Sequence, residues 1–215
     1  MFIGHFATGL VTKKLDPTLP LAGMFIAVQF LDLLWPILVL LGIETVAIKP
    51  GITQLTPLDF TFYPYTHSLL MAAVWGVVFG LIYFAFTKNR QHALILGALV
   101  LSHWFLDLLV HRPDLLLSPF GDLKVGLGLW NHPLAEITIE FSLFFTGAWV
   151  YYSTRKPSKK IAYWSLIGIL LVIQLANFFG PPPPNIPSIA WGGNLIWIFI
   201  LWAWWIEKKK TKEHS

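Results

Sequence analysis

The sequence contains no cysteine, and only 12% of its 215 residues are charged. Without cysteine, disulfide bonds and thiolate chemistry are excluded, and any metal ion would need histidine and carboxylate ligands. The low charge excludes an ordinary soluble domain, in which about a quarter of the residues are charged. Hydrophobic residues make up 56% of the chain, and a bilayer rather than water accommodates that much apolar surface. The composition therefore predicts an integral membrane protein.

Apolar segments long enough to cross a bilayer, which takes about 20 helical residues, occur along most of the chain. They cover about residues 19–43, 68–86, 93–110, 134–152, 161–179 and 189–206. Pro36 is expected to kink the first segment, and Gly180 with the four prolines 181–184 ends the fifth. We predict an all-α fold, a polytopic membrane helix bundle of about six transmembrane helices that forms one integral membrane domain over residues 1–215.

The first 14 residues are too short for a span, because a helix of that length reaches only about 20 Å. They lack the basic region and cleavage site of a secretory signal, so we expect them to be retained. They are predicted to form a short N-terminal amphipathic or re-entrant helix, which lies on the surface or folds back into the bundle. This choice decides where His5 lies.

Basic residues cluster before the first span, between the second and third, between the fourth and fifth, and after the sixth. The clusters are Lys13 and Lys14, Lys88 and Arg90, Arg155, Lys156, Lys159 and Lys160, and residues 208–212. The other loops contain only Lys49, Arg112 and Lys124. Because basic loops face the cytoplasm, the alternation predicts a multi-pass membrane protein with both termini in the cytoplasm. It also accounts for the pI of about 9.3 without a nucleic-acid partner.

Histidine and carboxylate residues within or beside the spans are functional candidates, because such groups are costly in a membrane. His103 and Asp107 are four residues apart in the third span, so they share one helix face. The predicted topology lets the candidates meet in a water-filled cavity open to the non-cytoplasmic side. The candidates on the predicted spans and outer boundary are Asp32, His67, His103, Asp107, His111 and Glu136.

Three neutral imidazoles with one or two carboxylates suit Zn²⁺, and Mn²⁺ or Fe²⁺ accept the same ligand types. A metal ion of this kind activates a water molecule as a nucleophile, and a carboxylate outside the ligand set can act as general base. Asp107, Asp32 and Glu136 are the candidate catalytic carboxylates. Each of these polar residues would alternatively serve as a structural hydrogen-bonding group between helices.

Several stretches resemble a bacterial inner-membrane family known as the LexA-binding, inner-membrane-associated hydrolases, or membrane-bound metal-dependent hydrolases. The similarity rests on Gly4-His5, an aspartate in the first span, Thr-His-Ser-Leu-Leu and Ser-His-x-x-x-Asp. It extends over nearly the whole chain and is strongest to a branch sometimes labelled permease. The stretches typical of that branch are QFLDLLWP, TPLDFTFYPYTHSLLMAAVWG, SHWFLDLLVHRPDL, KVGLGLWN and ANFFGPPPP.

The resemblance implies a site for a divalent metal ion, expected to be Zn²⁺. The positions that correspond to the family's metal or catalytic residues are His5, Asp32, His67, His103 and Asp107. His111 belongs to the branch. Phe62, Tyr63 and Pro64 stand where the wider family often has His-Arg, so one ligand is either missing or replaced by His111.

We therefore expect a zinc-type metal-dependent hydrolase that acts on a lipid or lipid-linked substrate at the non-cytoplasmic side, with membrane lipids as its surroundings. Two alternatives stay open. The first is a non-enzymatic membrane scaffold or partner-binding protein, in which the polar residues hold helices together. The second is a small transporter or permease that uses them as a proton or cation relay. The absence of an internal repeat disfavours the transporter.

Overall fold

The computed structural model describes residues 1–208, so the lysines 209, 210 and 212 of the last basic cluster lie outside the described residues. Helices account for most of this range. They are α1 Ile3–Leu15, α2 Leu21–Val28, α3 Phe30–Leu40, α4 Pro64–His67, α5 Leu69–Thr87, α6 Arg90–Val110, α7 Pro133–Arg155, α8 Lys160–Phe179, α9 Ile186–Asn194 and α10 Ile196–Glu207. A 3₁₀ turn, Leu129–Asn131, precedes α7.

Four helical segments are long and apolar enough to cross a membrane: α5, α6, α8 and the continuous stretch Ile186–Glu207 that contains α9 and α10. The bent pair α2–α3 is a fifth candidate if it counts as one span. Large apolar side chains on these helices point outward, and Val77, Leu81 and Leu201 are each more than 60% exposed. Such an apolar exterior is stable in lipid rather than in water. The fold is therefore that of a multi-pass membrane protein.

Helix α7 covers the predicted fourth span but is not among these candidates. It has 23 residues, which is long enough. Its first half contains Glu136 and Glu140, which are polar and fully buried against other helices. These two carboxylates lower the hydropathy of α7 below that of the other long helices.

The predicted first span is interrupted at Gln29, where α2 and α3 meet at 52°. We expected the kink at Pro36, but this proline lies inside α3. At the break, the Gln29 side chain donates from Nε2 to the backbone oxygen of Phe2 (3.4 Å). The interruption also makes the Val28 carbonyl at the end of α2 available to a side chain. The sharp bend therefore lies at Gln29, where the side chain contacts the N-terminal segment, and the proline does not end the helix.

Helix α1 lies inside the bundle, and most of its residues are buried. It packs along α7, where Gly147 allows the closest approach: a Cβ at this glycine would lie 2.9 Å from the Ala7 carbonyl oxygen. At the far end of α1, buried Lys13 pairs with Glu207 of α10 (2.8 Å). The N-terminal segment thus forms part of the core and carries His5 inward.

The segments between α3 and α4 and between α6 and α7 contain short antiparallel strands, which the all-α prediction did not include. Strands β1 Thr45–Ile48 and β2 Leu58–Phe62 form one hairpin, and β3 Leu115–Leu116 pairs with β4 Lys124–Val125. Asp59 of β2 contacts both Lys49 and Arg112, so it ties the hairpin to the segment after α6. The hydrogen bond from Lys49, followed by the charge of Arg112, outweighs burial and lowers the pKa of Asp59.

Helices α5 and α6 pack closely because glycines face each other. A Cβ at Gly76 would lie 2.7 Å from the Gly97 carbonyl oxygen, and one at Gly80 would lie 2.8 Å from the Ala93 oxygen. These contacts are with backbone, which cannot rotate away as a side chain does. Small residues at such positions are typical of helix pairs in membranes.

We predict that Gly76→Ala destabilises the protein by about 1–3 kcal/mol, because the added methyl group forces α5 and α6 apart. The measurement is thermal unfolding in detergent. The control is Gly168→Ala in α8, where a Cβ would meet nothing within 4 Å. This control should stay within about 1 kcal/mol of the parent. Equal effects of the two substitutions would contradict the close α5–α6 contact.

Candidate functional site

Asp107 of α6 is the centre of the polar cluster and is buried. Its Oδ1 accepts from the Met1 amino group (2.8 Å) and from His5 Nε2 (3.1 Å). Its Oδ2 lies 3.1 Å from His103 Nε2 and 3.7 Å from His67 Nε2. One carboxylate therefore brings together α1, α4 and α6.

Asp32 of α3 approaches the same two imidazoles from the other side. Its Oδ1 lies 3.4 Å from His67 Nε2 and 3.7 Å from His103 Nε2. Two sets of potential ligand atoms each lie within 4.8 Å of one another, and both contain His103. The sets are His5 with His103 and Asp107, and Asp32 with His67 and His103.

The His103 ring is oriented by the helix break in the first span. Its Nδ1 lies 2.7 Å from the Val28 carbonyl oxygen. A carbonyl oxygen only accepts, so Nδ1 carries the hydrogen and the neutral ring has its lone pair on Nε2. That Nε2 is buried, faces both carboxylates and has no hydrogen-bond partner among the described residues.

His67 presents the same nitrogen to the cluster. Its Nδ1 is 2.7 Å from Thr66 Oγ1, so Nε2 is the nitrogen that faces Asp32 and Asp107. The chain turns sharply at Ser68 between α4 and α5, and the His67 carbonyl accepts from Trp104 Nε1 (3.0 Å). Thr66 of α4 thus orients the ring, and Trp104 of α6 holds the backbone of the same residue.

His5 plays a different part from the other two histidines. Its ring stacks on that of His103, with centroids 3.6 Å apart and planes 5° apart. Its Nε2 is the nitrogen that contacts Asp107 Oδ1, and Nδ1 has no hydrogen-bond partner among residues 1–208. Because a carboxylate accepts, His5 Nε2 donates and holds Asp107 in place.

The arrangement fits a divalent cation. A buried Nε2 lone pair beside carboxylate oxygens is unfavourable unless a positive charge lies between them. Imidazole nitrogen and carboxylate oxygen are ligands of zinc, manganese and iron. The two imidazoles also have hydrogen-bonded Nδ1 atoms, as histidine ligands of metals usually do.

His111 lies apart from this cluster. Its Nδ1 contacts Asp114 Oδ1 (3.0 Å) and the Tyr63 hydroxyl (3.2 Å), and Trp130 packs on its ring. It belongs to neither set of neighbouring ligand atoms. His111 therefore contacts Tyr63 and Asp114 and is not grouped with the other residues that were predicted as metal ligands.

Glu136 is also separate from the imidazoles. It is fully buried, and neither of its carboxylate oxygens has a hydrogen-bond partner within the described part of the chain. Its neighbour Glu140 accepts from the Gly4 backbone N–H (3.1 Å) and from Gln174 Nε2 (2.8 Å). Glu140, and not Glu136, lines the cavity described next.

A cavity of about 640 Å³ opens above the cluster, between the β1–β2 hairpin, α8 and α9. Asp32, His67, Asp107 and His111 line one part of it. Apolar side chains and the proline run form much of the remainder: Trp35, Phe60, Trp130, Ile173, Phe178, Pro181, Pro182, Pro183, Ile189, Leu195 and Phe199. The volume is in the range of pockets that bind small molecules.

The serines beside the histidines are not activated as nucleophiles. Ser68 Oγ donates to the Pro64 carbonyl oxygen (2.7 Å), and Ser102 Oγ donates to the Leu99 carbonyl oxygen (2.7 Å). A nucleophilic serine would instead need a hydrogen-bonded base. The imidazoles and carboxylates are therefore the groups of the cluster that are available for chemistry.

Sequence reasoning missed three groups that contact the residues of the polar cluster. They are the Val28 carbonyl, Gln174 and Glu44, which is buried and contacts Thr66. A backbone carbonyl gives no sequence signal. Gln174 is a polar residue within the fifth apolar segment, and this position was its only signal. Glu44 lies in a loop between two apolar segments, where a charged residue is ordinary.

The apolar helices with a buried polar cluster define the class, a multi-pass membrane protein. A family model described as YdjM inner membrane protein matches residues 64–180, which is more than half of the chain. The chain belongs to the YdjM inner membrane protein family. His67, His103 and Asp107 lie within the matched range. No curated protein and no solved structure matches significantly.

Proposed function

We propose that this protein is a membrane-embedded, metal-dependent hydrolase that acts on a lipid or lipid-linked substrate at the non-cytoplasmic side. The observation that carries the proposal is the convergence of His67 Nε2 and His103 Nε2 on Asp32 and Asp107 beside a largely apolar cavity. Structural helix-to-helix contacts would not require this group to border a cavity.

His67, His103 and Asp107 are the residues that would hold the metal ion, with zinc as the expected metal and manganese or iron as alternatives. A divalent cation supplies Lewis-acid activation of water and of the scissile group. His5 holds Asp107 through Oδ1, which leaves Oδ2 directed at His67 and His103. His111 stays outside the ligand set in this assignment.

Asp32 is the best candidate for the general base. Its side chain is 28% exposed, whereas that of Asp107 is 3% exposed, and it lines the cavity. A water molecule in the cavity can therefore reach Asp32 and transfer a proton to its carboxylate. Glu136 does not line the cavity, so we assign it no direct contact with substrate.

The cavity favours an amphiphilic substrate. A polar head group with its phosphoester or amide bond would lie near Asp32 and His67, and an apolar chain would lie along Ile189, Leu195 and Phe199. The proline run 181–183 forms a rigid part of the wall. A purely polar substrate would leave these apolar surfaces in contact with water.

The proposed topology has six spans: α2–α3, α5, α6, α7, α8 and α9–α10. Helix α7 is included because its length is sufficient and its two glutamates face the interior. Helix α1 is assigned as a re-entrant helix whose lysine-bearing end lies at the cytoplasmic side. The C-terminal end is then cytoplasmic and the β1–β2 hairpin is outside. Met1 lies inside the bundle at Asp107, so the expectation that the N-terminus itself is cytoplasmic is replaced by a cytoplasmic Lys13 end of α1.

The first prediction concerns metal content. Wild-type protein purified in detergent should contain about one zinc, manganese or iron ion per chain, and His103→Ala and Asp107→Ala should lose it. Elemental mass spectrometry gives the stoichiometry. The matched control is His92→Ala, because His92 also pairs with an aspartate, Asp16 (3.0 Å), but at the other end of α6. This variant should retain the metal.

Thermal unfolding must show that the variants are folded. If wild-type protein holds no stoichiometric metal even after incubation with each ion, the hydrolase proposal fails. The polar cluster would then be assigned to a scaffold or a transporter. If His92→Ala loses the metal as fully as His103→Ala does, the assignment of the ion to this cluster is wrong.

The second prediction concerns the substrate. Ala176 lines the cavity and Leu175 beside it does not, although both are exposed on α8. Ala176→Trp should reduce the amount of lipid that co-purifies with the protein by at least about tenfold, because the indole would fill the part of the cavity proposed to hold the lipid chain. It should reduce to the same extent the hydrolysis of any lipid that the wild type cleaves. Leu175→Trp should have little effect. Mass spectrometry of extracted lipids and product release from mixed micelles measure the two quantities. Equal behaviour of the variants would contradict a lipid in this cavity.

The third prediction concerns topology. Because the chain has no cysteine, single substitutions can be labelled without background. Gln54→Cys in the hairpin and Ser158→Cys between α7 and α8 are both at exposed positions. A membrane-impermeant maleimide should label only Gln54→Cys in right-side-out vesicles and only Ser158→Cys in inside-out vesicles. The reverse pattern would place the cavity at the cytoplasmic side.

A further inference from the structure

We infer that Glu44 and Thr66 form a buried relay that fixes the tautomer of His67. The relay determines which ring nitrogen faces the carboxylates of the site. Its consequence for metal binding rests on the proposed function, whereas its geometry does not. Glu44 is thereby assigned as a positioning residue, although it lies outside the family-matched range 64–180.

Glu44 lies between α3 and β1, and it is only 1% exposed. Its Oε1 accepts from the backbone N–H of Tyr65 (2.8 Å) and of Thr66 (2.9 Å). Its Oε2 accepts from the Thr66 hydroxyl (2.6 Å). Three donors converge on one carboxylate, which is the arrangement expected for an ionised glutamate that only accepts.

The direction of the next hydrogen bond follows from this one. A threonine hydroxyl has a single hydrogen, and Thr66 gives it to Glu44. Thr66 Oγ1 can then only accept from His67 Nδ1, which lies 2.7 Å away. His67 therefore carries its hydrogen on Nδ1, and the neutral ring has its lone pair on Nε2, 3.4 Å from Asp32 Oδ1.

The two imidazoles of the site are thus fixed in the same tautomer by different means. His103 uses the Val28 carbonyl, which cannot change its role. His67 uses a hydroxyl, which can reverse its role if its own acceptor becomes a donor. Of these two imidazoles, His67 is therefore the one whose tautomer depends on a charged side chain acting through Thr66, and Glu44 is that side chain.

Glu44→Gln should reverse the direction of the hydrogen bonds from Thr66 to Glu44 and from His67 to Thr66. The substitution leaves the side chain almost the same size. The glutamine oxygen would take the place of Oε1, where two backbone N–H groups need an acceptor. The amide NH₂ would then face Thr66 Oγ1 and donate to it. The Thr66 hydroxyl would turn its hydrogen toward His67 Nδ1, and the ring hydrogen would move to Nε2.

The test is the His67 tautomer in chelator-treated, ¹⁵N-histidine-labelled protein, measured by long-range ¹H–¹⁵N correlation at about pH 9, where free imidazole is neutral. The His67 signals are assigned by their loss in His67→Gln. Wild type should carry the hydrogen on Nδ1 and Glu44→Gln on Nε2. Thr66→Ser retains the hydroxyl and should resemble wild type. Asp59→Asn should also resemble wild type, because it removes a buried carboxylate of the neighbouring hairpin that contacts Lys49 and Arg112 instead of Thr66.

Metal affinity supplies a second readout. Glu44→Gln should weaken metal binding by about 10–100-fold, the usual effect of losing a group that orients a metal ligand. If Glu44→Gln does not fold, Thr66→Val takes its place and should give a mixture of the two His67 tautomers. The same tautomer in wild type and Glu44→Gln, or in wild type and Thr66→Val, would overturn the relay.

The outcomes separate this inference from the proposed function. If the His67 tautomer reverses in Glu44→Gln and the protein binds no metal, the relay is supported and the hydrolase proposal fails. If the wild-type protein binds metal but carries the His67 hydrogen on Nε2 after chelation, the relay is overturned and the hydrolase proposal stands. Reversal together with weakened metal binding supports both.

Discussion

The structure depends on the burial of the Asp107 carboxylate in an apolar bundle. A carboxylate in such surroundings is strongly unfavourable unless donors or cations surround it. Asp107 meets this need through Oδ1, which accepts from the Met1 amino group (2.8 Å) and from His5 Nε2 (3.1 Å). Its charge therefore helps to hold α1 in the core, because both of these donors belong to the N-terminal segment.

Interruptions of the helices lie around this charge. The break at Gln29 provides the Val28 carbonyl for His103, and the turn at Ser68 provides the His67 carbonyl for Trp104. The junction of α9 and α10 at Leu195 lines the cavity. Non-helical backbone at membrane depth is tolerated where protein covers it or where it borders a cavity. The breaks thus orient the polar side chains, and the intact helices α5 and α6 supply the rigid frame.

Apolar length located the helical segments in the sequence, and the four-residue spacing of His103 and Asp107 correctly placed them in one cluster. Length and composition describe a segment alone, so they did not decide whether α1 lies on the surface or inside. Proline chemistry suggested a kink at Pro36, but the bend lies at Gln29, whose side chain contacts the distant residue Phe2. The contacts of Glu44 with Tyr65 and Thr66 could not be predicted from the sequence either, because nothing in a loop sequence shows which residues a glutamate contacts.

The stacked rings of His5 and His103 bear on the difference between a structural cluster and a metal site. Two imidazolium ions with centroids 3.6 Å apart would repel strongly in a weakly polarisable interior, so at least one ring is neutral. The Met1 amino group already supplies one positive charge to Asp107 (2.8 Å), so a purely structural cluster needs one further proton, on His67 or His103, to balance Asp32. The stacking is compatible with that proton as long as His5 stays neutral. The proposed cation would take the place of the proton, and the proposed Glu44 relay would keep His67 in the tautomer that such a cation requires.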